Sequence, residues 1–144
     1  MKYRKSVFVV VYTKTGQGIR YLLLKRKLHW RGWEFPKGGI ELSETRKSAV
    51  KRELLEETGL SPLKIRKFGF SGKYKYKKKL LDRSGLKGQR FYLYSAEVKM
   101  GKVKLDKKEH NGFAWVDFPR AFKMIKWPNQ KKSLKIVNSW LNKK

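Results

Sequence analysis

The residues best suited to chemistry are three glutamates, Glu53, Glu56 and Glu57, which are separated by three and four positions. Residues at i, i+3 and i+4 share one face of a helix, so their carboxylates would project into a single arc. The chain has only 11 acidic residues against 38 basic ones, and six of the 11 lie between positions 34 and 57. This concentration of carboxylates predicts a site for a hard divalent cation.

Without a ligand, the acidic helix face is electrostatically unfavourable. Like charges at these spacings destabilise a helix by about 0.2–0.5 kcal/mol per pair. Glu56 and Glu57 also fall in the predicted last turn, where the helix dipole is negative. A bound cation would resolve this repulsion. Oxygen ligands suit Mg²⁺, with Mn²⁺ as an alternative, whereas two histidines and no cysteine disfavour zinc. The simpler interpretation is a solvated helix face neutralised by surface lysines.

The composition limits the class of protein and its partners. A length of 144 residues predicts one domain spanning residues 1–144, and the absence of cysteine excludes disulfides and thiolate sites. A net charge of +27 attracts polyanions such as RNA and polyphosphates, although a general lysine bias would raise the charge as well. No apolar run approaches the roughly 18 residues of a membrane span, so we expect a cytoplasmic protein with no membrane partner.

The elements that must position the glutamates follow from hydrophobic patterning. Residues 6–12 and 20–25 read as strands joined by a turn at 13–18, and residues 33–35 form a short strand that stops at Pro36. Residues 37–39 are expected to be a loop, because two glycines follow Lys37. Ser43 is the expected N-cap of a helix that ends near Thr58, with Gly59 as its C-terminal stop.

The second half of the chain adds more strands and a closing helix. Residues 63–77, 89–99 and 112–116 alternate as strands do, and the basic stretch 78–88 is expected to be a loop. Residues 129–141 form an amphipathic helix, on which Leu134 and Val137 mark the apolar stripe. One interior helix and one terminal helix around many strands predict an α/β or α+β fold with a mixed sheet.

Residues 38–60 resemble the Nudix box, G-x5-E-x7-R-E-U-x-E-E-x-G-U with U apolar. The pattern is filled without a gap, and the positions that match are Gly38, Glu44, Arg52, Glu53, Leu54, Glu56, Glu57, Gly59 and Leu60. The resemblance implies an α/β/α sandwich around a central mixed sheet. It also implies an enzyme that uses Mg²⁺ and a water molecule to cleave a nucleoside diphosphate linked to another group.

The resemblance also implies a role for each residue of the box. Glu53, Glu56 and Glu57 correspond to the metal-binding carboxylates, and the backbone carbonyl of Gly38 often joins them. Arg52 corresponds to the arginine that orients the carboxylates. The residues expected to hold the structure of the motif are Glu44 and Gly59. The general base varies in the family, so both Glu53 and the distant Glu109 are candidates.

Two groups of Nudix enzymes resemble this chain outside the box. Residues 33–38, W-E-F-P-K-G, resemble the diadenosine tetraphosphate hydrolases, as does the Glu109-His110 pair ahead of Trp115. The G-G-I after Lys37 and the G-Q-R-F-Y at 88–92 resemble the RNA 5′-pyrophosphohydrolases, which usually carry Gln where this chain has Lys37. The leading hypothesis is therefore hydrolysis of dinucleoside polyphosphates, with RNA 5′-pyrophosphohydrolysis as the alternative.

Several residues outside the box are candidates for binding the substrate. Lys37 lies beside the glycines and could neutralise a phosphate. On an alternating strand, Tyr74 and Tyr76 would share one face, from which they either stack on a base or pack inward. The remaining candidates are Arg90 and His110. A third hypothesis, from another class of protein, is a basic RNA-binding module whose Nudix fold is inactive; the intact box argues against it. The oligomeric state does not follow from the sequence.

Overall fold

The computed structural model describes residues 2–28, 31–76 and 86–143, which form seven strands and three helices. The strands are β1 (Lys2–Thr15), β2 (Gly18–Arg26), β3 (Gly32–Glu34), β4 (Lys37–Gly39), β5 (Pro62–Lys75), β6 (Leu86–Val98) and β7 (His110–Val116). The helices are α1 (Arg46–Thr58), α2 (Phe118–Met124) and α3 (Pro128–Leu141). The part of the predicted loop 78–88 that precedes Leu86 lies outside the described residues, whereas Leu86 to Gly88 belong to β6.

All seven strands belong to one mixed sheet. Its strand order is β3-β2-β1-β6-β5, with β4 paired to β1 and β7 paired to β2. β1 and β6 run parallel, and the other pairs are antiparallel. The central strand β1 is covered on both faces, which explains its almost continuous apolar run. The predicted mixed sheet is confirmed.

The helices form a layer on each side of this sheet. On one face, Ala49, Val50 and Leu54 of α1 pack in a cluster with alternate residues of β1, beginning at Val7. On the other face, α2 and α3 pack against the opposite set of β1 residues, such as Phe8. This arrangement is the predicted α/β/α sandwich.

The helix that carries the glutamates begins two residues later than expected. Thr45, not Ser43, is its N-cap: the Thr45 hydroxyl accepts a hydrogen bond from the Ser48 backbone N–H at 3.1 Å. Ser43 has a φ of 67° and therefore lacks the extended backbone of an N-cap residue. The predicted C-terminal end is correct, because Gly59 follows Thr58 in the left-handed conformation with a φ of 74°.

Two further elements differ from the sequence-based expectation. Residues 37–39 form the strand β4 rather than a loop, because they pair with β1 and place Gly38 opposite Val7. The short helix α2 was not predicted. Its signals are Asp117, whose carboxylate caps the helix by accepting from the Arg120 N–H at 3.1 Å, and Pro119 in the first turn.

The closing helix α3 packs as predicted. Leu134 and Val137 are fully buried, whereas Trp140 and Leu141 are partly buried against the same cluster. Within the described residues, no helix combines the length and the apolar character needed to cross a membrane.

We expect Phe35→Ala to destabilise the protein by about 3–5 kcal/mol. Phe35 is fully buried, and its ring makes edge contacts with Phe8 at 5.8 Å and Tyr21 at 6.3 Å. Urea unfolding measures the change in free energy. The control is Leu42→Ala, at a side chain that is 97% exposed, which should change stability by less than about 0.5 kcal/mol. Equal effects of the two substitutions would contradict this description of the core.

Candidate active site

Arg52 is the centre of the carboxylate cluster. Its Nε and Nη2 donate to the two oxygens of Glu44 at 2.7 and 2.8 Å, which is a bidentate pair. Its Nη1 donates to Glu53 at 2.8 Å and to Glu56 at 3.0 Å, and Nη2 also donates to the Gly39 carbonyl at 2.8 Å. One guanidinium thus fixes the loop before α1 to two of the three helix glutamates. These contacts fit the orienting role expected of Arg52 and the structural role expected of Glu44.

The hydrogen bonds from Arg52 also shift the pKa of Glu44. They hold the pKa of its carboxyl down at about 2, and the hydrogen bond from the Glu41 backbone N–H adds to the effect. The same hydrogen bond to Glu44 raises the pKa of Arg52 above its ordinary value. The pair therefore stays ionised throughout the physiological range.

Glu53 lies against the glycines of β4. A methyl group on Gly38 would fall 1.9 Å from the Glu53 carboxyl carbon, so a side chain at position 38 would displace the carboxylate. Only 13% of the Glu53 side chain is exposed. Its burial raises the pKa of Glu53 to about 7, against the opposing effect of the Arg52 charge. Without a cation, Glu53 therefore exchanges its proton near neutral pH.

Glu57 is buried and incompletely hydrogen-bonded. One carboxylate oxygen accepts from the Lys37 backbone N–H at 3.3 Å, whereas Oε1 has no hydrogen-bond partner among the described residues. Burial raises the pKa of Glu57 well above its ordinary value, and the charge of Glu53 adds to this shift. An unpartnered buried carboxylate oxygen is unfavourable by itself and is expected where a cation binds. Glu56, in contrast, is about half exposed.

A second group of ligand atoms lies around Glu57. One oxygen of Glu57, one oxygen of Glu109 and one ring nitrogen of His110 are all within 4.8 Å of one another. Carboxylate oxygens suit a hard divalent cation, and Glu53 and the Gly38 backbone lie beside them. The donor set therefore fits a divalent metal, and the fold brings the distant Glu109 close to Glu57 of the helix.

A buried ionic network lies next to this group and includes His110. Glu34 is fully buried and lies 3.1 Å from Arg26 Nη1, 2.9 Å from His110 Nε2 and 3.6 Å from Lys37 Nζ. Burial opposes ionisation of Glu34, but the Lys37 charge and the His110 hydrogen bond outweigh it and lower the pKa of Glu34 to about 2. His110 is itself fully buried. Direct contact of His110 with substrate does not fit this placement, and the side chain instead holds Glu34.

Glu53 and Glu109 open onto a small pocket that also contains cationic and amide side chains. Its lining consists of Arg4, Arg26, Lys37, Gly38, Glu53, Gln89 and Glu109. Positive groups opposite a carboxylate cluster can offset the charge of a phosphate chain whose other oxygens face a metal. The arrangement is therefore suited to holding a polyphosphate against the glutamates.

Two predicted tyrosines lie next to this pocket. Lys37 Nζ is 3.5 Å from the Tyr74 hydroxyl, and the rings of Tyr74 and Tyr76 meet edge to face at 6.3 Å. The Tyr76 hydroxyl donates to Gln89 at 3.2 Å. Arg90 lies on the opposite face of β6 from Gln89 and therefore points away from these tyrosines. Lys77 and the lysines that follow it lie outside the described residues.

The sequence-based predictions did not include Arg4, Arg26 and Gln89 as pocket residues. They also did not include Glu34 as the partner of Arg26. Arg26 carried a signal, because it alternates with the buried Leu22 and Leu24 on β2 and therefore faces the interior. Glu34 carried another, as one of only 11 acids. Arg4 and Gln89 become neighbours only through the parallel pairing of β1 with β6.

Comparisons with known proteins agree with this geometry. The family model of the NUDIX domain matches residues 2–136. A protein of Marinomonas sp. named RNA pyrophosphohydrolase is 30% identical over 127 residues, which cover 81% of this chain and 76% of that protein. A Pasteurella multocida protein of the same name is 32% identical over 127 residues, covering 81% of this chain and 62% of that protein.

Solved structures show the same fold. A NUDIX hydrolase from Listeria monocytogenes superposes with a TM-score of 0.78 at 21% identity, covering 98% of this chain and 94% of that one. An Ap4A hydrolase from C. elegans gives a TM-score of 0.74 at 23% identity, with coverage of 96% and 97%. Together with the family match, these findings confirm the predicted enzyme class: the chain belongs to the Nudix family of hydrolases, which act on pyrophosphate bonds.

Proposed function

We propose that this chain is an RNA 5′-pyrophosphohydrolase, which cleaves a phosphoanhydride bond at a triphosphorylated 5′ end by attack of water. The observation that carries the proposal is the buried Glu57 oxygen without a partner among the described residues, grouped with Glu109, which lines a pocket that also contains Arg4, Arg26 and Lys37. The curated relatives are named RNA pyrophosphohydrolases. Their names support RNA as the substrate over the dinucleoside polyphosphates of the leading sequence-based hypothesis.

The proposed cofactor is Mg²⁺, with Mn²⁺ as an alternative. Glu53, Glu56, Glu57 and the Gly38 carbonyl would hold it, with Glu109 as a further carboxylate ligand. A bound divalent cation would offset the negative charge of the phosphate chain and would lower the pKa of the attacking water. This assignment agrees with the oxygen-rich donor set, because hard cations prefer carboxylate and carbonyl ligands.

The protein side chains would supply charge compensation and the general base. Arg4, Arg26 and Lys37 offset the negative charge of the phosphate chain. Glu53 lines the pocket and is placed to accept a proton from the attacking water. Glu109 is the alternative base, since it lines the same pocket.

Hydrolysis of dinucleoside polyphosphates is the second candidate. It is favoured by the contact between Lys37 and Tyr74 and by the adjacent Tyr76, which together offer a cation for a phosphate and aromatic rings for a base. The C. elegans Ap4A hydrolase with the same fold is in line with this candidate. Both candidates require the same carboxylates, so the pocket beyond them decides the substrate.

A substrate panel with and without Mg²⁺ separates the candidates. We expect turnover of triphosphorylated RNA, with release of pyrophosphate or successive phosphates, at a kcat/KM at least about tenfold above that for diadenosine tetraphosphate. That ratio corresponds to about 1.4 kcal/mol of transition-state discrimination. Product analysis by chromatography measures both rates. Preferential cleavage of diadenosine tetraphosphate would reverse the ranking, and no turnover of either substrate would refute the proposed function.

Glu56→Gln should reduce kcat by at least about 100-fold, which is the upper end of the loss seen when a supporting group of a metal ligand is removed. Stability should change by less than about 1 kcal/mol, because the ion pair of Glu56 with Arg52 is half exposed. Steady-state kinetics, cation titration calorimetry and urea unfolding test these expectations. Glu97→Gln, on β6, is the control with the same loss of charge. Wild-type rates in Glu56→Gln would refute its role as a metal ligand.

The stability of the cation-free protein should fall as pH rises from about 4.5 to about 7. The pKa of Glu53 is raised from 4.5 to about 7 in the folded state, so folding favours its protonated form and the contribution is lost as the group ionises. The loss is on the order of 3 kcal/mol at 1.36 kcal/mol per pKa unit. Glu34 and Glu44, with pKa values lowered to about 2, act in a separate window below pH 4.5.

Glu53→Gln removes the Glu53 titration, whereas Glu57, whose pKa is also raised, remains in both proteins. Unfolding in urea and EDTA should show the variant gaining stability relative to wild type between pH 5 and pH 7.5, because the glutamine stays neutral. Added Mg²⁺ should stabilise the wild type more at pH 7.5 than at pH 5. A wild-type-to-variant difference that is independent of pH would contradict the raised pKa.

A further inference from the structure

A row of three cations crosses the face of the sheet that carries α1. Lys5 on β1 pairs with Arg90 on β6, which pairs in turn with Lys73 on β5. Direct cross-strand partners point to the same face, and all three side chains are exposed. Because neighbouring strands lie about 4.8 Å apart, the row spans about 10 Å. We call these three residues the basic ladder.

The basic ladder is unfavourable without a ligand. Like charges directly opposite each other on neighbouring strands destabilise a sheet. Within residues 2–28, 31–76 and 86–143, no carboxylate lies within ion-pair distance of Lys5, Lys73 or Arg90. A row of unneutralised positive charges is therefore a binding surface for a polyanion.

Aromatic rings flank the basic ladder on the same face. Tyr3 lies one row to one side, and Lys73 Nζ and Lys87 Nζ are 5.0 and 4.9 Å from its ring centre. Tyr92 lies one row to the other side, and the Arg46 guanidinium stacks 3.5 Å above its ring. Cations interleaved with aromatic rings are typical of surfaces that bind single-stranded nucleic acid, and a stacked guanidinium plane can itself receive a base.

The basic ladder lies next to β4 and to Ile40, which follows it. Val7 pairs with Tyr92 on one side and with Gly38 on the other, so the row next to the ladder contains the glycine that packs on Glu53. The Lys5 carbonyl accepts a hydrogen bond from the Ile40 N–H at 2.9 Å. The row therefore starts beside the segment that carries Gly38, on the face of the sheet opposite Arg4 and Gln89 of the pocket, and leads to the outer strand β5.

We propose that the basic ladder binds the single-stranded body of an RNA whose 5′ end occupies the pocket. The proposal rests on the proposed function for its choice of ligand and extends that function from the cleaved end to the following nucleotides. The ladder would therefore raise affinity for long RNA without altering the chemistry at the glutamates.

The test compares two variants that each lose three positive charges. The ladder variant combines Lys5→Gln, Lys73→Gln and Arg90→Gln. The control variant combines Lys14→Gln, Lys123→Gln and Lys126→Gln, at exposed positions outside the ladder. Thermal unfolding should show the ladder variant at least as stable as wild type, because cross-strand repulsion is removed.

Equilibrium binding is measured with a single-stranded RNA of about 12 nucleotides that carries a 5′-hydroxyl, across a range of salt concentrations. We expect the ladder variant to bind at least about tenfold more weakly, with a salt dependence of log K reduced by about 2, or about 0.7 for each lost phosphate contact. The control should change the slope by less than about 0.5. Equal losses in both variants, or wild-type binding by the ladder variant, would overturn the proposal.

Kinetic measurements and binding to other polyanions identify the ligand. In the ladder variant, KM for long triphosphorylated RNA should rise about tenfold, whereas kcat and the kinetics on a triphosphorylated dinucleotide should stay unchanged. Single-stranded RNA would be rejected as the ligand if an RNA duplex lost as much affinity in the ladder variant as the single strand. It would also be rejected if the ladder variant lost binding to phosphatidylserine vesicles but retained binding to RNA. Because the 5′-hydroxyl RNA needs no turnover, failure of the proposed activity leaves the binding result decisive for the ladder.

Discussion

The guanidinium of Arg52 is the interaction on which the site depends. It makes hydrogen bonds to Glu44, Glu53, Glu56 and the Gly39 carbonyl, all at 2.7–3.0 Å. These contacts join helix α1 to the loop before it and hold several carboxylates close together despite their repulsion. A planar group with five donors can satisfy several acceptors at once, which a lysine ammonium in the same place could not do with the same geometry.

The burial of each glutamate sets its part in the chemistry. Glu44 is fully paired and has a lowered pKa, whereas Glu53 and Glu57 are buried and have raised pKa values. Neutral carboxyls at these two positions suit the empty site, and ionised carboxylates suit a site that holds a cation. The buried network around Glu34 stays ionised beneath them, because Arg26, Lys37 and His110 surround it. Burial, protonation and folding are therefore linked at a single place in the molecule, which is where the proposed cation would bind.

The fold and the helix of the box were predictable because their signals are local. Residues 53–57 and Gly59 specify a helix end and its acidic face through spacing alone, and the α3 stripe at Leu134 and Val137 shows the helical period. The predicted N-cap was wrong because Ser43 and Thr45 are both good capping residues. Only the left-handed backbone of Ser43 distinguishes them. α2 was missed because its seven residues are too few to show a helical period.

The sequence by itself determined the family, helix α1 and the acidic face of that helix, since these depend on residue types at short, fixed spacings. The tertiary structure decided which distant side chains join them. It buried His110 behind Glu34, placed Arg4 and Gln89 in the pocket, and turned Arg90 to the other face of the sheet. These placements depend on strand pairing and register, in which a shift of one residue moves every side chain to the opposite face, so no local pattern records them.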